Sequence, residues 1–214
     1  MKSRLSPFFF MAHEKNTNAY GPDARKIREL NDYSSERCVE EYRNLPWWRQ
    51  LLGLGISPQQ CVSNEMTYSH AALLSWGLLV RQDGKWDDKT VIPNRFHPRD
   101  PVGQHWHLCN NTLYYYDVWS NLHYGYVGAA GGFTESVLLD GAGVEQMGSD
   151  VFRGRMPQRS GAVDGLRAFD DPADRAAVAE GIRRYRAGPR HVTAQQLVSF
   201  ITTSTEITQK PYQA

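Results

Sequence analysis

Cysteine is scarce in this chain: Cys38, Cys61 and Cys109 are odd in number and show no Cys-x-x-Cys spacing. That argues against a disulfide framework and against a cysteine zinc site. One pair stays free to form if the chain is exported. An excess of charge is also missing, since 24 Lys and Arg face 23 Asp and Glu for a formal net charge of +1. No global field therefore steers the protein to duplex nucleic acid or to an anionic membrane, although an enzyme that handles RNA through one local groove is still allowed. Long hydrophobic runs are absent too. Phe8-Phe9-Phe10-Met11 behind Lys2 and Arg4 is too short for a signal-peptide core and is followed directly by Glu14-Lys15-Asn16. Nothing approaches the roughly 20 apolar residues of a membrane helix, so no membrane insertion is expected. There is no internal repeat or low-complexity tract.

What is present suits one domain with a real core, because 214 residues are hardly enough for two. Residues 1–20 mix Ser, Pro, Asn and Tyr without periodicity and read as a flexible N-terminal arm. Residues 21–205 read as a single domain, with a helical part over 21–60, and residues 206–214 as a flexible tail. Pro22-Asp23 opens a helical stretch from Ala24 to about Asn44, with a break expected near Asn31-Asp32. Leu51 to Gly55 is too glycine-rich for a helix. Ser63-Asn64-Glu65 reads as the cap of a helix ending before the turn at Asp83-Gly84. A long ordered loop with short strands follows to about Leu108. Thr134 caps a short helix over Glu135 to Gln146, and Met156 to Gly165 is a loop. Asp171-Pro172-Ala173-Asp174 starts the clearest helix, with Arg183, Arg184 and Arg186 at its end. The last helix runs from Thr193 to about Thr202. The fold class is α+β, mainly helical, with a small irregular β component and long ordered loops.

The densest functional signal is Tyr116 to Gly128, continuing through Gly131-Gly132-Phe133 to Gly141, Gly143 and Gln146. Glycines beside aromatics, a histidine, an amide and a carboxylate read as a bent backbone presenting polar groups. His123 is the leading acid–base candidate, because imidazole takes and gives a proton near neutral pH. Asp117 is placed to orient that ring, and Asn121 to hold a substrate oxygen or amide. Turn formation explains both equally well. Asp87 and Lys89, two apart, read either as a base beside a charge-stabilising group or as an ion pair anchoring a loop, with Trp86 packed beneath. Tyr124 and Tyr126 offer faces that stack on bases or sugars, and fill a core just as readily.

Other features have simpler explanations. His105-x-His107-x-Cys109 puts three metal-capable side chains on one strand face, but no second ligand cluster accompanies them; neither a metal nor a cofactor is expected. Asp171 and Asp174 are helix-start residues. Glu65 is a cap that would need burial to serve as a hydrolytic acid. Arg153, Arg155 and Arg159 form a basic loop cluster suited to phosphate or to an acidic protein, or merely solvated.

The chain resembles the bacterial polymorphic toxin type 44 domain, bacterial toxin 44. The resemblance rests on Gly84-Lys85-Trp86-Asp87-Asp88-Lys89, similar to the family's Gly-x-Trp-Asp-x-Lys element, and on Asn121-x-x-Tyr124-Gly125-x-x-Gly128. It continues through Gly132-Phe133, Leu138-Leu139, Ala142-Gly143, Gln146 and the Asp171 to Asp174 helix start, making residues 61–190 the family-resembling core. Asp88 departs from the pattern, standing where an aromatic residue is usual. The resemblance implies an antibacterial effector used in competition between bacteria. Its partners would be a cognate immunity protein and a larger secreted delivery protein or a secretion apparatus. It would be secreted or delivered into a target cell without a cleaved signal peptide. The expected activity is that of a small hydrolase. Metal-independent RNA cleavage comes first, through His123, Asp87, Lys89 and Asn121 with Trp86, Asp117, Tyr124, Tyr126 and Gln146 at the substrate. Peptidoglycan hydrolysis, with Asp87 or Glu65 as the acid, is the alternative. A non-enzymatic binding module is the second alternative.

Overall fold

The computed structural model describes residues 7–81, 83–88, 91–92, 105–141, 171–188 and 191–212. The helix α1 (Pro7–Ala19) is followed by α2 (Pro22–Asn31), α3 (Ser35–Arg43), α4 (Trp47–Leu51) and α5 (Pro58–Val80). Strands β1 (Trp106–Cys109) and β2 (Thr112–Tyr115) lead into α6 (Asp117–Ala130). A helical segment over 135–141 comes next, then α7 (Pro172–Arg186), α8 (Ala194–Thr203) and β3 (Gln209–Pro211). The result is a mainly helical α+β domain with one small antiparallel sheet in the order β1-β2-β3. Trp106 faces Tyr115 and Cys109 faces Thr112 across the hairpin. Asn110 and Asn111, both at positive φ, close it, as suits a tight hairpin turn with Asn at left-handed positions.

Several helix starts follow their local chemistry. Gly21-Pro22 opens α2 with proline in the first turn, and the chain breaks at Asp32 before Ser34 caps α3. Asp171 accepts from the Ala173 amide at 2.7 Å to start α7, and Thr193 with Gln196 forms a capping box at α8. The start of α5 lies earlier than Ser63: Ser57 and Gln60 make the capping box and Pro58 follows it. Glu65, inside α5, instead caps a neighbour by accepting from the Ser35 amide and hydroxyl at 3.3 and 2.6 Å. These bonds hold its carboxyl below the ordinary value, the opposite of what a hydrolytic acid needs.

Residues 7–20 differ most from the expected arm. Met11, Lys15 and Ala19 fall four apart on α1, forming with Phe10 and Ala12 a buried stripe. A lysine at the centre of that stripe masks its periodicity in the sequence. Asn16 then fixes the helix, donating to the Val192 carbonyl at 2.8 Å and accepting from the Val192 amide at 2.9 Å. Gln209–Pro211 likewise does not hang free, because it pairs with β2 in the register Thr112 to Pro211, and Ile207 just before it is buried. Residues 47–51, passed over for their glycine-rich sequel, form the short α4. Cys38 and Cys61 are joined in a disulfide that ties α3 to the first turn of α5, leaving Cys109 as the free thiol.

Candidate functional site

The segment expected to be a bent, glycine-rich backbone is a regular helix, α6, at the centre of the core. Its glycines serve close approach rather than bending. A Cβ at Gly125 would overlap the Val178 carbonyl oxygen of α7, and one at Gly181 of α7 would overlap the Leu122 carbonyl oxygen. The two glycines thus face each other's backbones across α6 and α7. Gly128 leaves the space that the Leu138 side chain fills. Aromatics fill the rest: Trp119 and Tyr126 are fully buried.

His123 lies within this core at 1% exposure. Its Nε2 is 3.3 Å from Asn18 Nδ2, so the Asn18 amide donates and Nε2 carries the lone pair. Its Nδ1 lies 3.7 Å from Asp88 Oδ2, and its ring meets Trp86 edge-on at 6.4 Å between centroids. Trp86 and Asp88 are brought there by a tight turn after α5. A Cβ at Gly84 would strike the Leu79 carbonyl oxygen, and the Trp86 amide donates to that same carbonyl at 2.8 Å. Asp87 accepts from the Asp83 amide at 2.9 Å, with Asp83 in the left-handed region at φ 59°.

Burial sets the electrostatics. It pushes the Asp88 carboxyl up to about 6, against the pull of Lys15 and with the help of Asp87. Burial, and then the Lys15 charge, hold His123 well below the usual imidazole range, so the ring is neutral at physiological pH. Lys15, donating to the Trp119 carbonyl at 3.0 Å, is pushed down to about 8 by burial, opposed by Asp88 and Glu14. The interior thus holds a neutral base, a carboxyl that gives up its proton only at about pH 6, and a cation.

The Lys15 shift predicts a pH dependence. Between about pH 8 and the unfolded lysine value the unfolded chain binds more protons at this position than the folded one, so this contribution to stability rises with pH. Urea melts at pH 8.0, 8.75 and 9.5 should show Lys15→Met lacking that rise relative to the parent. Parallel slopes would mean that Lys15 is not held in the interior. The comparison cancels the opposite drift from Tyr126 and Cys109, whose values burial raises.

The expected constellation converges only in part. Trp86 and His123 meet, and Asp87 lies beside Asp88, but Asp87 is turned to its own loop. Asn121 donates to Asp174 at 2.6 Å, pinning α6 to the start of α7. Two residues along a helix rotate by about 200°, so Asn121 and His123 point apart. Asp117, six residues before His123 in the first turn of α6, is about 240° round the helix and does not orient the ring; Asp88 faces it instead. Tyr124 packs on Trp76 at 4.5 Å and donates to the Leu138 carbonyl, while Tyr126 donates to Asn16 Oδ1 at 3.2 Å. Both tyrosines are committed to packing rather than to a groove. Lys89, Gln146, His97 and the Arg153, Arg155 and Arg159 cluster lie outside the described residues, as do most of the loops expected between 83 and 108 and over 156–165. Among the described residues no cluster of three His, Cys, Asp or Glu would hold a metal ion, His105, His107 and Cys109 included.

Lys15, Asn18 and Asp88 had no role in the sequence reading. Asp88 did carry a signal, as the one departure from the family pattern within Trp86 to Lys89. Lys15 is joined to α6 across 104 positions and gave none.

The turn at Gly84, the Trp86 element and the α6–α7 glycine contact all fall inside residues 75–187, which match the family model for bacterial toxin 44. The chain belongs to the bacterial toxin 44 family. No curated protein and no solved structure matches it. As a toxin 44 domain it has an immunity protein as its implied partner and delivery to a target cell as its implied context. No described helix is long and apolar enough to cross a membrane. The family match contains Asp88 and His123, while Lys15 and Asn18 precede it.

Proposed function

We propose that this toxin 44 domain is an antibacterial effector that cleaves RNA without a metal, with His123 as the base. One observation carries the reading: a neutral imidazole stands 3.7 Å from a carboxyl that burial holds at about 6, in the same buried cluster as a lysine. Transesterification of RNA needs those three kinds of group. Nε2, freed from the Asn18 amide, takes the 2'-hydroxyl proton. The 2'-oxygen then attacks phosphorus to close a 2',3'-cyclic phosphate, and the bond to the 5'-oxygen breaks, that oxygen taking a proton from water. A cation, Lys15 or the neighbouring Lys89, offsets the charge gathered on the phosphoryl oxygens. The imidazolium formed at His123 faces Asp88, which becomes the better partner once ionised. Asn18 is only part-buried, and substrate reaches Nε2 by displacing it.

Hydrolysis of cell-wall glycan is the second reading, favoured by the Asp88 carboxyl. A carboxyl raised to about 6 retains a protonated fraction near neutral pH, as protonation of a glycosidic oxygen requires, and Asp87 supplies a second carboxylate next to it. Paired expression separates the two. The domain produced in the host cytoplasm without an immunity protein should stop growth and fragment total RNA, while the same domain sent to the periplasm should be tolerated. Killing from the periplasm alone would discard RNA cleavage in favour of the wall.

A further inference from the structure

Charge balance over the whole chain conceals a local exception between Tyr42 and Asn64. That stretch contains no acidic residue, and its charged residues are Arg43 and Arg49. The same stretch presents the most exposed apolar surface described: Trp47 is 75% exposed, Leu51 77% and Leu52 66%, with Trp48, Leu54 and Ile56 beside them. Side chains of this kind return nothing to the core from these positions, yet the backbone beneath them is firmly built. Gly53, at φ 65°, lets the Leu54 amide donate to the Arg49 carbonyl at 2.8 Å and the Gly53 amide to the Gln50 carbonyl at 3.1 Å, a Schellman cap on a helix of five residues. Gln50 Nε2 donates to the Leu45 carbonyl at 2.8 Å, and the Cys38–Cys61 disulfide ties together the helices on either side. The outcome is a rigid apolar knob with a cationic rim, Arg49 lying 5.3 Å over the Trp48 ring.

We propose that this knob docks on an anionic phospholipid surface. Indole and leucine side chains enter the headgroup and upper acyl region, where Trp is favoured, and Arg43 and Arg49 meet lipid phosphates. The domain lies on the bilayer rather than crossing it, in keeping with the lack of a membrane-length helix among the described residues. Glu40 and Glu41, at the end of α3, are exposed close by in sequence, so the apolar side chains carry most of the affinity and the arginines most of the preference for anionic lipid. The inference rests on α4 and its flanks and is independent of the His123 chemistry.

The test is co-sedimentation of the intact domain with vesicles of phosphatidylglycerol and phosphatidylethanolamine, against phosphatidylcholine alone. The parent should pellet with the anionic vesicles, its tryptophan emission shifting to shorter wavelength. Trp47→Ser/Leu51→Ser/Leu52→Ser should bind about tenfold more weakly or worse with an unchanged melting temperature, since these side chains support no core. Arg43→Gln/Arg49→Gln should bind several-fold more weakly and lose the preference for anionic lipid. Equal pelleting of parent and triple variant would overturn the proposal. So would a parent that stays in the supernatant, including one that dimerises through these residues or is captured there by a protein partner.

Discussion

Gly125→Ala should be among the most damaging single methyl groups that can be added to this protein. The new Cβ would meet the Val178 carbonyl oxygen of α7, and neither partner is a flexible side-chain end that can swing away. Relief requires the two central helices to separate, opening the contact on which the Trp119, Leu122 and Tyr126 layer depends. A loss above about 3 kcal/mol is expected, at the upper end of overpacking costs. For a chain of this size that corresponds to a fall of roughly 6–12 °C in melting temperature. Gly181→Ala should act similarly through the Leu122 carbonyl. Gly77→Ala provides the control with the opposite sign. It is also a glycine within a helix, but nothing lies within 4 Å of its added Cβ, so the gain in helix propensity should raise stability by about 0.5–1 kcal/mol. Calorimetry of the three variants decides the matter, and parental melting in Gly125→Ala would remove the close-contact account of α6 and α7.

The same pair of helices shows where the sequence could and could not be read. Capping chemistry is local and gave the break at Asn31-Asp32, the Asp171-Pro172 start and Thr193 before α8. Glycine is ambiguous, because it serves a bend, a left-handed residue or a close crossing, and only the partner surface distinguishes them. In α6 the partner is Val178, more than 50 residues away, so the glycine-rich stretch read as a bent backbone while being, among the described helices, the one with the most buried residues. Lys15 and Glu65 were opaque for a related reason: the groups they serve, the Trp119 carbonyl and the Ser35 amide, lie on other elements of the fold. Cys38 and Cys61 gave no spacing signal, because their pairing depends on how α3 lies against α5. His123 was legible as a special histidine. Its partner was sought at Asp117, six residues upstream, whereas the helical phase of α6 turns Asp117 away and Asp88 faces the ring.

His123→Gln should abolish toxicity while leaving the fold in place. Glutamine is close in volume, and its Oε1 can accept from the Asn18 amide as Nε2 does, so the buried site is not left with an orphaned donor. It cannot take a proton near neutral pH. If His123 is the base, RNA cleavage by the purified domain should fall by about 10²–10⁴-fold, the usual contribution of a positioned general base. Melting should move far less than for Gly125→Ala. The pH profile adds a second signature. Because burial holds the imidazole well below its ordinary range, the active neutral form persists as the pH falls, and in an Asp88→Asn background, which removes the carboxyl that titrates at about 6, the residual rate should stay level from pH 7 to pH 6. An acid limb centred near the ordinary histidine value of about 6.5 would instead indicate a solvent-exposed base, and would reject His123 in this buried setting. Full toxicity in His123→Gln would reject RNA cleavage with His123 as the base, and would leave glycan hydrolysis through Asp88 and a binding module as the readings that account for the toxin.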